Sequence, residues 1–155
     1  MNEPTDARRG ELSITRVLNA PRSLVWEAFT SPEHVSRFWG GAETKVAPES
    51  IVMDLRAGGA FSLVTVAPDG AEYPLRFEYL DIQKPSRIVF LEPNTGLTTT
   101  ITLIERDSQT ELSIHQIRVP EHLRTEQAQA GLAAMTTKLA ALLTLLQADA
   151  DSPIS

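Results

Sequence analysis

The sequence predicts an α+β domain in which a seven-stranded, curved antiparallel sheet wraps one long C-terminal helix, with two short helices after the first strand. Three observations predict this. Residues 121–147 place Ala128, Leu132, Met135, Leu139, Leu142 and Leu146 at steps of four and three, a continuous stripe on one side of a helix. Residues 44–119 break into short runs parted by turn chemistry such as Pro68-Asp69-Gly70 and Pro93-Asn94-Thr95-Gly96, the mark of antiparallel neighbours. Strands and helices are also segregated along the chain, which sets helices on one face of such a sheet. At ~1.5 Å per residue the last helix would run about 40 Å. A rod that long and one-sided needs a broad apolar partner, and only the strands offer one.

In chain order, residues 11–18 alternate Leu12, Ile14 and Arg16 against Ser13, Thr15 and Val17, a first strand. Pro21 suits the first turn of a helix, where its missing N–H is not needed, and Leu24, Val25, Ala28 and Phe29 carry helical spacing. Ser31 is a suitable N-cap for a second short helix, Pro32 to Phe38, which Gly40-Gly41 ends. Residues 44–53 form a strand made irregular by Pro48. Strands follow over residues 60–66, 72–82, 87–91, 97–105 and 110–119. Turns at Gly58-Gly59, Pro68-Asp69-Gly70, Lys84-Pro85-Ser86, Pro93–Gly96 and Arg106–Gln109 separate them. The helix 121–147 completes the chain.

A chain of 155 residues suits one folded body. Residues 1–10 are expected to form a flexible lead-in, 11–147 the domain, and 148–155 a flexible tail. The net charge of −6, with basic residues scattered, argues against a nucleic-acid partner, which needs clustered Lys and Arg. The absence of cysteine removes disulfides, thiolate metal sites and thiol catalysis, and fits a reducing cytoplasm. The polar, acid-bearing N-terminus is not expected to be a secretory leader, and no apolar run of about 20 residues is expected to span a membrane. A soluble cytoplasmic protein is the expectation.

Several strings in this order resemble a known family. They are Ile14-Thr15-Arg16 with Ala20-Pro21-Arg22, Val25-Trp26-Glu27-Ala28-Phe29-Thr30, Pro32-Glu33-His34 with Phe38-Trp39-Gly40, and Met53-Asp54-Leu55-Arg56 with Gly58-Gly59. Pro68-Asp69-Gly70 with Glu72-Tyr73-Pro74, and Pro85-Ser86-Arg87-Ile88-Val89-Phe90, complete them. Together they resemble the START-like (SRPBCC, birch-pollen-allergen-like) superfamily of helix-grip folds. Within it the chain looks most like the activator of heat-shock protein 90 ATPase homologue-like branch, close to polyketide cyclases and dehydrases. The likeness runs from Leu12 to Leu146. It implies a cavity between sheet and helix whose mouth is formed by the second short helix and the loop after it. It also implies Leu112, Ile114 and Gln116 facing inward and His115 outward. Where the branch commonly has a Gly-Trp pair in its last helix, this chain has Gly131-Leu132, a change that reshapes the end of the pocket it faces. One fold hosts many functions, so the resemblance implies architecture more than activity.

The residues offer little for chemistry. Gly58-Gly59 belongs to no phosphate-binding pattern and reads as a tight turn. His34, His115 and His122 have no metal-ligand spacing, so no metal and no cofactor are expected; His34 and His122 are expected to face solvent. Ser113 and His115 share a strand face without an acid in pattern. Glu78 or Asp81, if turned into a cavity, would be candidate general bases; charged strand residues more often face water. No catalytic residue is assigned. The aromatic set is the stronger signal, with Trp39 at the mouth, Gln116 the polar residue on an apolar face, and Met53 and Met135 adaptable fillers. The expected ligand-binding residues are Phe38, Trp39, Met53, Phe61, Phe77, Phe90, Gln116, Leu132 and Met135. The expected function is to hold a small hydrophobic molecule, lipid-like or polyketide-like. A cyclase/aromatase-like or hydrolase-like enzyme in the same cavity, and a stress-response or co-chaperone-like interaction module, are the alternatives. A monomer or a weak homodimer through an exposed edge strand is expected.

Overall fold

The computed structural model describes residues 10–151, with side chains described as far as residue 148. The expected lead-in lies outside the described residues except for Gly10, and the expected tail lies outside them from residue 152 on. Strand β1 (Leu12–Leu18) is followed by helices α1 (Arg22–Thr30) and α2 (Pro32–Phe38). Strands β2 (Lys45–Val46), β3 (Val52–Met53), β4 (Ala60–Val66), β5 (Glu72–Gln83), β6 (Arg87–Leu91), β7 (Thr98–Arg106) and β8 (Gln109–Ile117) come next, and helix α3 (Glu126–Asp151) last. Every strand pairing is antiparallel, in the order β1-β8-β7-β6-β5-β4-β2, with β3 also on β4. This is the helix-grip plan. The one irregular strand expected over 44–53 is two short segments, because Pro48 opens a 3-10 turn, Pro48–Ser50, between them.

The long helix starts later than the expected residue 121. Pro120 has no N–H to give, Arg118 adopts a left-handed φ of 56°, and Glu121–Leu123 form a separate 3-10 turn. Thr125 then caps α3, its hydroxyl accepting from the Ala128 N–H at 3.1 Å. At the other end α3 continues to Asp151, beyond the expected limit at Gln147. Ser31 does occupy the N-cap position of α2, yet it makes no side-chain capping hydrogen bond.

The stripe on α3 faces the sheet. Met135, Leu139 and Leu142 are buried, with Leu143 and Thr136 beside them. They meet Phe61, Leu63, Phe77, Tyr79, Ile88, Phe90, Ile101, Leu103, Leu112 and Ile114 in one core. By length and composition residues 126–148 would suffice to cross a membrane, contrary to expectation, since Glu126 and Lys138 are their only charges. In this fold the apolar side of the helix is spent on the sheet, with Leu139, Leu142 and Leu143 at most 3% exposed.

Side chains of α3 also reach the outer edge of the sheet. Gln129 donates to the Ser13 carbonyl at 2.9 Å, Arg16 donates to Thr137 at 2.9 Å, and Gln147 donates to the Asn19 carbonyl at 2.9 Å. The β1 edge is thus partly covered by the protein's own helix, which is how an edge strand is kept from pairing with another chain.

Candidate ligand-binding cavity

A cavity of about 380 Å³ lies between the N-terminal half of α3, the loop after α2, and the inner faces of β5 to β8. Three structural features make it. Alternation along β7 and β8 turns Thr99, Ile101, Ile114 and Gln116 inward, and the turn at Asp107-Ser108 sets the register that pairs Thr99 with Gln116. Across the sheet, Leu12, Gln116, Thr99, Phe90 and Tyr79 form one continuous row of partners. The segment after β8 supplies Val119 and Leu123, and α3 supplies Ala128, Gly131, Leu132 and Met135. Leu123 is 41% exposed, so the cavity reaches the surface beside it.

The mouth loop is held in a defined shape. Trp39 ends α2, its N–H donating to the Val35 carbonyl at 3.0 Å. Gly40 follows with φ 85°, and a Cβ there would stand 2.7 Å from the Thr44 side chain, so only glycine fits. The Lys138 ammonium on α3 then donates to three carbonyls of the loop, those of Trp39, Gly41 and Thr44, at 3.2, 2.8 and 3.2 Å. Burial lowers the Lys138 pKa. Held this way, the Trp39 indole packs edge-on against Phe61 at 5.2 Å and near Phe77 and Phe90 at 6.1 and 6.0 Å. Those are the separations at which aromatic pairs attract.

Of the nine residues expected to contact ligand, the cavity is lined by Trp39, Phe77, Phe90, Gln116, Leu132 and Met135. Phe38, Met53 and Phe61 lie elsewhere, a correction in each case. Phe38 is one residue from Trp39, about 100° round a helix, and packs edge-on with Phe29 of α1 at 5.2 Å. Met53 is on β3, at the far edge of the sheet from β7 and β8. Phe61 stands behind the wall, stacked on Tyr79 at 5.7 Å with Trp39 across it.

Thr99, Leu97, Val119 and Leu123 escaped the sequence reading. Counting back from the Arg106–Gln109 turn would have found Thr99 opposite Gln116. Nothing local marks Leu123, which the expected helix 121–147 includes.

The polar content of the cavity is small. The Gln116 amide donates to the Thr99 hydroxyl at 3.1 Å, and Thr99 is only 4% exposed. Among the described residues no charged side chain lines the cavity. Glu78 is exposed and lies in a separate surface cleft beside Gly58-Gly59. Asp81 accepts from Gln83 at 2.6 Å at the surface. A one-residue irregularity at Leu80 shifts the β5–β6 register there. His115 faces outward beside Glu11 at 3.3 Å, and His122 is exposed. His34 departs from expectation: it is half-buried, with its Nδ1 enclosed and without a hydrogen-bond partner among the described residues. It stands on α2, which packs on α1, α3 and β2. Gly58-Gly59 is the expected turn, with Gly59 so near the Asp54 carbonyl that a Cβ would collide with it. Among the described residues no group of His, Cys, Asp or Glu could hold a metal ion.

A curved antiparallel sheet closed by a C-terminal helix over an apolar hollow defines a helix-grip, START-like domain. The sequence profile of the family described as "Activator of Hsp90 ATPase homolog 1-like protein" matches residues 19–144, and the chain belongs to that family. The fold is shared with a protein of Nitrosomonas europaea, at 24% identity and a TM-score of 0.80 over 92% of this chain and 99% of that one. A protein of Chromobacterium violaceum is 26% identical, with a TM-score of 0.79 over 86% of this chain and 96% of that one. The AHSA1 protein of Silicibacter pomeroyi is 16% identical, with a TM-score of 0.74 over 87% of this chain and 98% of that one. No curated protein sequence matches the chain.

Proposed function

We propose that this protein is a cytoplasmic carrier or sensor that holds one small hydrophobic molecule between β5–β8 and α3. The observation that carries this reading is Gly131. It lies inside α3, where glycine costs about 1 kcal/mol against alanine, and it lines the cavity. A Cβ there would meet no atom within 4 Å, so no neighbour demands glycine. The cost has a return if the space must stay open. The cavity's volume and largely apolar wall are those of ordinary small-molecule sites. An enzyme would need an acid–base group in this space, and Glu78, Asp81 and His115 all point elsewhere.

The test is titration with a neutral phenylnaphthylamine dye, read as dye emission and as quenching of the tryptophans. Saturable binding that is lost when Leu132 is replaced by Trp, with the fold intact by circular dichroism, is the expected result. Absence of saturable binding by the native protein would overturn the reading.

A further inference from the structure

We infer that the preferred ligand is an uncharged hydroxyarene, a flat apolar ring carrying a hydroxyl, seated with its oxygen between Gln116 and Thr99. The inference rests on the container reading and specifies it.

A primary amide has two N–H groups and two acceptor lone pairs, and a threonine hydroxyl has one donor and two lone pairs. One contact, Gln116 to Thr99 at 3.1 Å, joins the two side chains. The pair therefore retains both donating and accepting capacity, whichever way the amide is turned. Thr99 is 4% exposed, and Gln116 is half-buried and lines the cavity, so the pair's remaining capacity faces the hollow, where a ligand that displaces water must match it. Buried polar groups are costly when left unmatched. A hydroxyl is the smallest group that donates and accepts at once.

Charge is excluded by what the wall lacks. No Lys, Arg, His, Asp or Glu lines the cavity among the described residues. A carboxylate or ammonium entering it would lose hydration without a counter-ion, a penalty larger than one neutral hydrogen bond returns.

Ring shape follows from the row of partners across the sheet. Phe90 is the direct cross-strand partner of Thr99, and adjacent strands lie about 4.8 Å apart. The aromatic wall of Phe90, Phe77 and Trp39 thus begins one strand away from the polar pair. A hydroxyl attached directly to a ring spans that step; one at the end of a long chain would set its flexible chain against the ring faces. At about 30 Å³ per non-hydrogen atom, the share of a water molecule in the liquid, the volume holds roughly a dozen such atoms. Two fused rings with one oxygen fit it.

The experiment is displacement of the phenylnaphthylamine dye by naphthol, naphthalene and naphthoate at neutral pH. Naphthol is expected to bind about tenfold tighter than naphthalene, the value of one net hydrogen bond, and naphthoate more weakly than both. In a Gln116→Leu, Thr99→Val double variant the preference for naphthol over naphthalene is expected to vanish while naphthalene is retained. Dye binding without discrimination among the three, or with naphthoate preferred, would overturn this inference and leave the container reading standing. Failure of the native protein to bind the dye at all would remove both. Should the double variant not fold, the native series decides alone.

Discussion

The Lys138 ammonium lies 2.8 Å from the Gly41 carbonyl oxygen, and through this contact the long helix holds the mouth of the cavity. Two further carbonyls of the same loop, from Trp39 and Thr44, converge on it. A cation surrounded by backbone acceptors fixes a loop without placing any side chain across the entrance. Replacement of Lys138 by Met keeps the stem and removes the donors. Losing these three bonds, with the Gly41 carbonyl still accepting from the Thr44 N–H at 3.1 Å, is expected to cost about 1–2 kcal/mol in urea unfolding, at the low end because the group is partly wetted. Dye release measured by stopped flow is expected to quicken. Unchanged stability and release would show that the loop holds itself.

The same contact sets an alkaline pH dependence. Burial puts the folded-state pKa of Lys138 below its ordinary 10.5. The unfolded chain then keeps this proton to higher pH than the folded chain, and stability rises with pH where the two differ. The penalty on the buried ammonium is complete below the folded pKa and relieved by pH 10.5. The stability of the native protein relative to Lys138→Met should therefore climb as pH approaches that value from neutral. A difference that falls over this window would contradict the assignment.

Gly131→Ala is expected to raise stability by about 0.5–1 kcal/mol, since the added methyl finds open space and the helix loses a flexible residue. Dye affinity is expected to fall in the same variant. Equilibrium unfolding and titration on one preparation check both. Stabilisation without loss of affinity would detach Gly131 from the binding function.

Two tryptophans report from different places. Trp26 is 7% exposed on α1 and does not line the cavity, whereas Trp39 does. Ligand-induced quenching should vanish in Trp39→Phe and persist in Trp26→Phe. The reverse would place the ligand in the surface groove that Trp26 borders with Leu55 and Ile82.

Leu139 is 1% exposed at the centre of the stripe on α3. Its replacement by Ala should cost about 2–5 kcal/mol in chemical denaturation. A loss under about 1 kcal/mol would mean the sheet does not depend on this helix for its core.

Much of the fold was readable because it is written in local periodicity. The spacing of Leu132, Met135, Leu139 and Leu142 marks a helix face wherever it lies, and Pro68-Asp69-Gly70 turns the chain regardless of its neighbours. Gln116 was found as a polar residue on an apolar strand face, and Thr99 was within reach through hairpin register. The helix start at residue 126 was harder, because no proline or glycine stands between 121 and 126, and the break comes from the backbone at Arg118 and Pro120 and from capping by Thr125.

By itself, then, the sequence determined the kinds of element, their order, and which face of each is apolar, since these follow from side-chain spacing over a few residues. Tertiary structure alone decided that Trp39 rather than Phe38 or Phe61 meets the hollow, that Leu123 forms its rim, and that Lys138 clasps the loop. The physical reason is that a cavity is a shortage of atoms among elements distant in the chain. Aromatic residues on neighbouring strands look alike in sequence, and their packing order in space separates the wall from what stands behind it.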